Sequence, residues 1–339
     1  MIKKVLLTSL MATSLASSLS ATEDMEKWLR PSEVPQPKDN KITPKRVELG
    51  KLLYFDTRLS STGKVSCATC HHPKRGWTDL EAVSKAVGIN GERGPRNSPT
   101  VMNSAYQKHQ FWDGRARTLE QQALGPIEAD VEMNMPLEVL IPKLNKIQGY
   151  KKLFAKAYPQ SKGEITEKYL AKAIASFERT AVSGNTPFDK YIKGDKKAIS
   201  AEAKEGFKIF KGKANCVSCH EGFNFSDGSF HNLGMTDGQL AGKDVGRYAV
   251  KRRAAWYGVF KTPTLRDVAI SHPYMHDGSV KSLEEASRIC NEGKFPHVKN
   301  FSTQVQNKDL TDDDYTKMVS FLKTLTTENK TKIPTNFPQ

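Results

Sequence analysis

The chain has 339 residues, 37% of them hydrophobic, and a formal net charge of +15. At roughly 150 residues per domain this allows about two domains, each long enough to bury a core. The apolar content excludes a disordered chain, its even spread excludes a membrane bundle, and five cysteines are too few for a disulfide scaffold.

Residues 1–21 read as a secretory signal peptide. Lys3 and Lys4 form a charged start, an apolar and small-residue stretch follows to Leu19, and Ser20 or Ala21 suits a signal peptidase. The stretch is short for a membrane span of about 20 residues, and no other segment is a candidate. The expected mature protein is therefore periplasmic, with no membrane span and no nucleic-acid partner. The excess positive charge then points to an acidic protein partner or to a solvated face. Its densest cluster is Arg247, Lys251, Arg252 and Arg253.

A helical pattern over Val47 to Phe55 precedes Cys67-Ala68-Thr69-Cys70-His71. A longer amphipathic helix is expected from Ile165 to Val182, with Tyr169, Leu170, Ala173, Ile174 and Phe177 on one face. Ser183-Gly184-Asn185-Thr186-Pro187 stops it. This break divides the expected domains into 22–184 and 185–339, with the C-terminal tail packing back on the first. A second helical pattern, Ala203 to Phe210, precedes Cys216-Val217-Ser218-Cys219-His220. A last helix is expected over Asp312 to Leu325, with Thr311 as its cap. Strand signals are scarce.

Both cysteine motifs read C-x-x-C-H. Two thiols at this spacing reach the two vinyl groups of one haem as thioethers, and the adjacent histidine swings under the iron. A single motif could equally be a redox dithiol or half a zinc site. A zinc ribbon, however, places its second pair about 15–20 residues on, whereas here the pairs begin at Cys67 and Cys216. The reading is two covalent c-type haems, held by Cys67, Cys70 and His71 and by Cys216, Cys219 and His220. The fold class is mainly α, with two c-type cytochrome domains that each enclose one haem.

The domains look duplicated. Pro99 to Ala123 matches Pro263 to Ser287 at a constant offset of 164, with seven identities and no gap. Trp112 aligns with His276 and Pro126 with Cys290. If that last position faces the iron opposite the proximal histidine, proline leaves the first haem open. Cysteine caps the second.

The runs RNSPTVMN, FWDGRARTLEQQALGPIEADVEMN and TPTLRDVAISHPYMHDGS, with the two C-x-x-C-H motifs, resemble the bacterial di-haem cytochrome c peroxidase and MauG family over nearly the whole mature chain. The resemblance implies a peroxidatic haem on His71 and an electron-transfer haem on His220. It implies that Trp112 is the electron conduit between them. Gln122, Pro126 and Glu132 match the peroxidatic distal pocket. Asn97 by its side chain, and Ser271 and Pro273 by their carbonyls, match the ligands of a calcium ion. Glu132 suits the proton transfer that cleavage of a peroxide needs.

Two departures matter. Pro73 to Lys108 contains no histidine, so the capping histidine that many such peroxidases carry there is missing. Cys290 stands where the peroxidases place methionine and MauG places tyrosine. Met275 is the alternative ligand of the second iron, ahead of Met235 and His297. Thiolate ligation lowers a haem potential relative to methionine. The leading function is reduction of hydrogen peroxide with electrons from a small c-type cytochrome or cupredoxin. The alternatives are a MauG-like oxidase acting on a protein substrate and a di-haem electron carrier. The sequence leaves the oligomeric state open, homodimer included.

Overall fold

The computed structural model describes residues 25–79, 94–235, 244–328 and 331–339. The expected signal peptide lies outside the described residues. The chain is mainly helical, as its patterning requires. In order, the helices are α1 Pro44–Phe55, the single turn α2 Cys67–Cys70, α3 Leu119–Glu128, α4 Leu137–Asn145, α5 Gln148–Ala157 and α6 Glu167–Glu178. Then come α7 Pro187–Ile192, α8 Ala201–Lys211, α9 Tyr248–Lys251, α10 Leu283–Glu292 and α11 Asp312–Lys323. The strands described are β1 Phe230–His231 and β2 Phe260–Lys261, paired antiparallel.

The long helices start where side chains supply the missing backbone acceptors. Thr43, Thr118, Thr166, Ser200, Ser282 and Thr311 each accept from an N–H of the first turn. Thr311 and Asp314 form a reciprocal capping box. The expected helix ending at Val182 stops earlier, at Glu178. There the Thr180 hydroxyl turns back onto the Phe177 carbonyl at 2.7 Å.

Two helix crossings organise the molecule. α1 crosses α6 at Gly50, where a Cβ would overlap the Ala173 carbonyl oxygen. α8 crosses α11 at Gly206, where a Cβ would overlap the Lys317 carbonyl oxygen. Only glycine lets backbones approach so closely, so each pair locks at one point.

Around the first crossing lies a core with Leu49, Leu53, Tyr54, Trp77, Leu170, Ile174 and Phe177. Around the second lies an aromatic core of Trp28, Phe188, Phe207, Phe210, Phe225 and Phe321, packed mostly edge to face. The chain ends cross between them. Trp28 belongs to the second core, whereas Phe337 packs on the first and the Gln339 carbonyl accepts from Gly149 N at 2.6 Å.

The sequence repeat is also a backbone repeat. Asn103 and Asp267 are both left-handed before short 3-10 turns. Phe111 and Met275 both have φ 67°, an uncommon conformation for a side-chain-bearing residue. The bridges Gln110–Ala116 and Tyr274–Val280 coincide, and α3 and α10 superpose end for end at the same offset of 164.

Arg266 ties the second half together from a fully buried position. Its guanidinium donates to Asp189 Oδ1 at 2.7 Å, to the Trp28 carbonyl at 3.0 Å and to the Phe223 carbonyl at 2.9 Å. Removing the counter-charge strands a buried cation, which costs about 3–5 kcal/mol. Asp189→Ala is therefore expected to lower the free energy of unfolding measured by chemical denaturation by that amount, with a lower midpoint. An unchanged midpoint would show that Asp189 does not compensate Arg266.

Candidate functional site

Each C-x-x-C-H motif opens onto a cavity. The first, of about 1020 Å³, is lined by Cys67, Cys70 and His71. The second, of about 250 Å³, is lined by Cys216, Cys219 and His220. The two histidines are held alike. His71 Nδ1 faces the Trp77 carbonyl at 3.3 Å and His220 Nδ1 faces the Phe225 carbonyl at 2.7 Å. Both carbonyls come from left-handed residues, Trp77 at φ 59° and Phe225 at φ 48°. A carbonyl only accepts, so Nδ1 carries the proton and Nε2 keeps its lone pair for a metal. Burial pushes both imidazoles below their usual pKa, which keeps them neutral. Two thiols for attachment and a neutral, oriented imidazole for the iron, in one cavity, are what a c-type haem requires.

Each cavity is also lined by the repeated helix. From α3, Leu119, Gln122, Ala123 and Pro126 line the first cavity. From α10, Leu283, Ala286, Ser287 and Cys290 line the second, each at the offset of 164. The spacing i, i+3, i+4, i+7 puts all four on one face. The structure therefore brings Pro126 and Cys290 to equivalent places, and Gln122 stands where the second cavity has Ala286. Burial pushes the Cys290 thiol up to about 12, so it stays neutral unless a cation faces it.

Glu132 also lines the first cavity, from the turn after α3. Burial pushes its carboxyl above the usual range and Arg115 opposes the shift. Trp112 lines both cavities and donates its indole N–H to the Asn97 carbonyl at 2.9 Å. The Asn97 N–H in turn donates to the His276 carbonyl at 2.8 Å, so this link joins the two halves of the chain. Its side-chain Nδ2 donates to the Pro273 carbonyl at 2.7 Å and to the Met275 carbonyl at 3.3 Å. Its Oδ1 is buried without a hydrogen-bond partner among the described residues. Ser271 lies two residues before Pro273 on the second cavity wall.

The other candidate ligands separate. Met275 and Met235 line the second cavity, whereas His297 is exposed beside Phe295. His109 packs edge to face on Phe230. The basic cluster also divides. Arg247 is buried over the Phe230 ring and donates to the Asp113 carbonyl, while Lys251, Arg252 and Arg253 are exposed.

Some of the site escaped the sequence reading. Arg96 holds Asp113 and Asp244 together beside the first cavity, with contacts of 2.7 Å to each. Glu178 lines that cavity from the end of α6. The signal for Glu178 is faint: Ser176-Phe177-Glu178-Arg179-Thr180 parallels Ser320-Phe321-Leu322-Lys323-Thr324, at an offset of 144 instead of 164.

Among the described residues no helix is long and apolar enough to cross a membrane. The family described as di-haem cytochrome c peroxidase matches residues 44–197, and a cytochrome c family matches 203–326. The methylamine utilization protein MauG of Methylorubrum extorquens is 41% identical over 319 residues, 94% of this chain and 88% of that protein. The cytochrome c551 peroxidase of Nitrosomonas europaea is 35% identical over 329 residues, 96% of this chain and 92% of that protein. A crystal structure described as a MauG-like protein associated with microbial copper homeostasis has a TM-score of 0.81 at 28% identity, covering 89% of this chain and 94% of that one. With two c-type haem halves, this chain is an oxidoreductase of the di-haem cytochrome c peroxidase and MauG family.

Proposed function

We propose that this protein is a periplasmic peroxidase that reduces hydrogen peroxide to water with two electrons from a small c-type cytochrome or cupredoxin. One observation carries the reading: the first cavity is large and is lined by Gln122, Glu132 and a non-ligating Pro126, whereas the second is small and is lined by Cys290. One haem is then open for chemistry and the other capped for electron transfer.

When bound, the first haem supplies the iron that takes up peroxide and passes electrons. The chain's own groups do the rest. Glu132, whose proton affinity burial raises, moves a proton from the near peroxide oxygen to the far one. Gln122 orients the peroxide by hydrogen bonds. Trp112, touching both cavities, is the route for electrons from the His220 side. The division of the chain after Gly184 gives each haem its own domain.

Asn97 fits a calcium site shared by the two halves. Its unpartnered Oδ1 is the acceptor a cation would satisfy. Turned over, its amide sets Oδ1 beside the Pro273 and Met275 carbonyls, an all-oxygen set suited to Ca²⁺. The Ser271 carbonyl is proposed as a further ligand.

For the second iron we propose Cys290 as the distal ligand, because it lines the same cavity as His220 at the repeat position of Pro126. A thiolate there stabilises ferric iron. This favours a second reading, a MauG-like peroxide-dependent oxidase of a partner protein, since a low-potential second haem shares oxidising equivalents instead of collecting electrons. Steady-state turnover of peroxide with a reduced small cytochrome separates them. Rapid turnover supports the peroxidase, and a long-lived oxidised state with negligible turnover supports the oxidase. The exposed Lys251, Arg252 and Arg253 suit an acidic partner in either case.

Glu132→Gln is expected to slow the reaction with peroxide by about 10²–10⁴-fold in stopped-flow absorption. A rate within a few-fold of wild type would remove Glu132 from the proton transfer. Cys290→Met is expected to raise the potential of the second haem and change its low-spin spectrum. Thiol titration of the denatured, haem-loaded wild type should find one free thiol, and none in Cys290→Met. An unchanged potential and spectrum would remove Cys290 as a ligand.

A further inference from the structure

The two helix crossings define a second register between the halves. With Gly50 against the Ala173 carbonyl and Gly206 against the Lys317 carbonyl, Ile174 corresponds to Met318 and Phe177 to Phe321. Local bonding keeps that register. Thr180 Oγ1 donates to the Phe177 carbonyl at 2.7 Å and Thr324 Oγ1 to the Phe321 carbonyl at 2.6 Å. Ile174 and Met318 line their respective cavities, and so do the residues one turn on, Glu178 in the first and Leu322 in the second. One place in the fold thus carries a carboxyl beside the first haem and a leucine beside the second.

Leu322 shows that packing alone is met by an apolar side chain at this place. Glu178 is 5% exposed, and its Oε2 has no hydrogen-bond partner among the described residues. An unpartnered buried carboxyl costs stability and calls for a reason. The groups around it do not neutralise it. Arg179, its neighbour on α6, spends both terminal nitrogens on Glu120 of α3, at 2.8 and 3.0 Å. Tyr54 of α1 donates its hydroxyl to the His71 carbonyl. Cys67 and Cys70 of α2 are consumed by haem attachment, and Glu132 is a second carboxyl on the same cavity. Burial pushes Glu178 up to about 8, with Arg179 opposing, so at neutral pH it holds a proton.

We propose that Glu178 is the proton-holding group of the first haem pocket, releasing its proton when that haem loses an electron and regaining one when the electron returns. The charges balance. Loss of one electron adds one positive charge to the cavity, and ionisation of Glu178 offsets it. Reduction of one peroxide to two waters consumes two electrons and two protons. Glu132 only relocates a proton already on the peroxide. Glu178 delivers one of the two further protons and is recharged from solvent. The role in turnover rests on the reading that the His71 haem is the reacting one; the coupling of electron and proton needs no peroxide.

The test is a redox titration of the haem-loaded protein without peroxide, at a series of pH values spanning 8. The first-haem potential is expected to fall as pH rises through that range, because the charged carboxylate stabilises oxidised iron. Glu178→Gln and Glu178→Leu should flatten that dependence, with the second haem unaffected. Oxidised-minus-reduced infrared spectra of the wild type should show a protonated carboxyl band that disappears in Glu178→Gln. A pH dependence that survives in the variants overturns the proposal, as does a wild-type spectrum without the band. The wild-type infrared measurement decides alone where a variant does not fold. Loss of the pH dependence in a protein that turns over no peroxide would leave the coupling standing and overturn the peroxidase reading instead.

Discussion

Everything about the two sites depends on two glycines. At Gly50 and Gly206 a helix lies directly on the backbone of another, closer than any Cβ permits. That contact fixes α1 against α6 and α8 against α11. It fixes in turn which side chains of α6 and α11 reach the cavities. The same hairpin of loop and helix, repeated at an offset of 164, closes each cavity from the opposite side. The haem pockets are the spaces left between these two rigid pieces. Their histidines are aimed by carbonyls of two left-handed residues, Trp77 and Phe225.

On so symmetric a scaffold, chemistry is written as differences between equivalent places. Pro126 corresponds to Cys290, Gln122 to Ala286 and Glu178 to Leu322. All three differences lean the same way. The first pocket gains polar groups and has proline at the repeat position of Cys290, while the second gains a thiol and apolar walls. Trp112 and Asn97 stand where the halves meet, bonded to each other and to the second repeat. Rigid, duplicated packing makes a chemical asymmetry of a few residues sufficient to divide labour between two haems.

The sequence disclosed what is local or repeated. C-x-x-C-H specifies its own chemistry, and the repeat exposed Pro126 against Cys290 without any coordinates. The start of the last helix was legible because Thr311 caps it with short-range bonds. What stayed hidden is long-range. Nothing near Trp28 shows that it belongs to a core built by residues 188–325. The Arg266–Asp189 pair and the burial of Arg247 depend on loops distant in the chain. Arg247 read as part of a surface cluster because composition cannot separate a buried cation over an aromatic ring from a solvated one. Glu178 was missed because its counterpart lies at a different offset from the main repeat.

The central claim is that one haem is open and the other capped. Electron paramagnetic resonance of the oxidised, haem-loaded protein tests it most directly. The account predicts one high-spin signal from a first haem without a sixth protein ligand, and one low-spin signal with the small anisotropy of thiolate coordination. Added peroxide should abolish the high-spin signal first. Two six-coordinate low-spin haems in the oxidised protein, unresponsive to peroxide, would contradict the account.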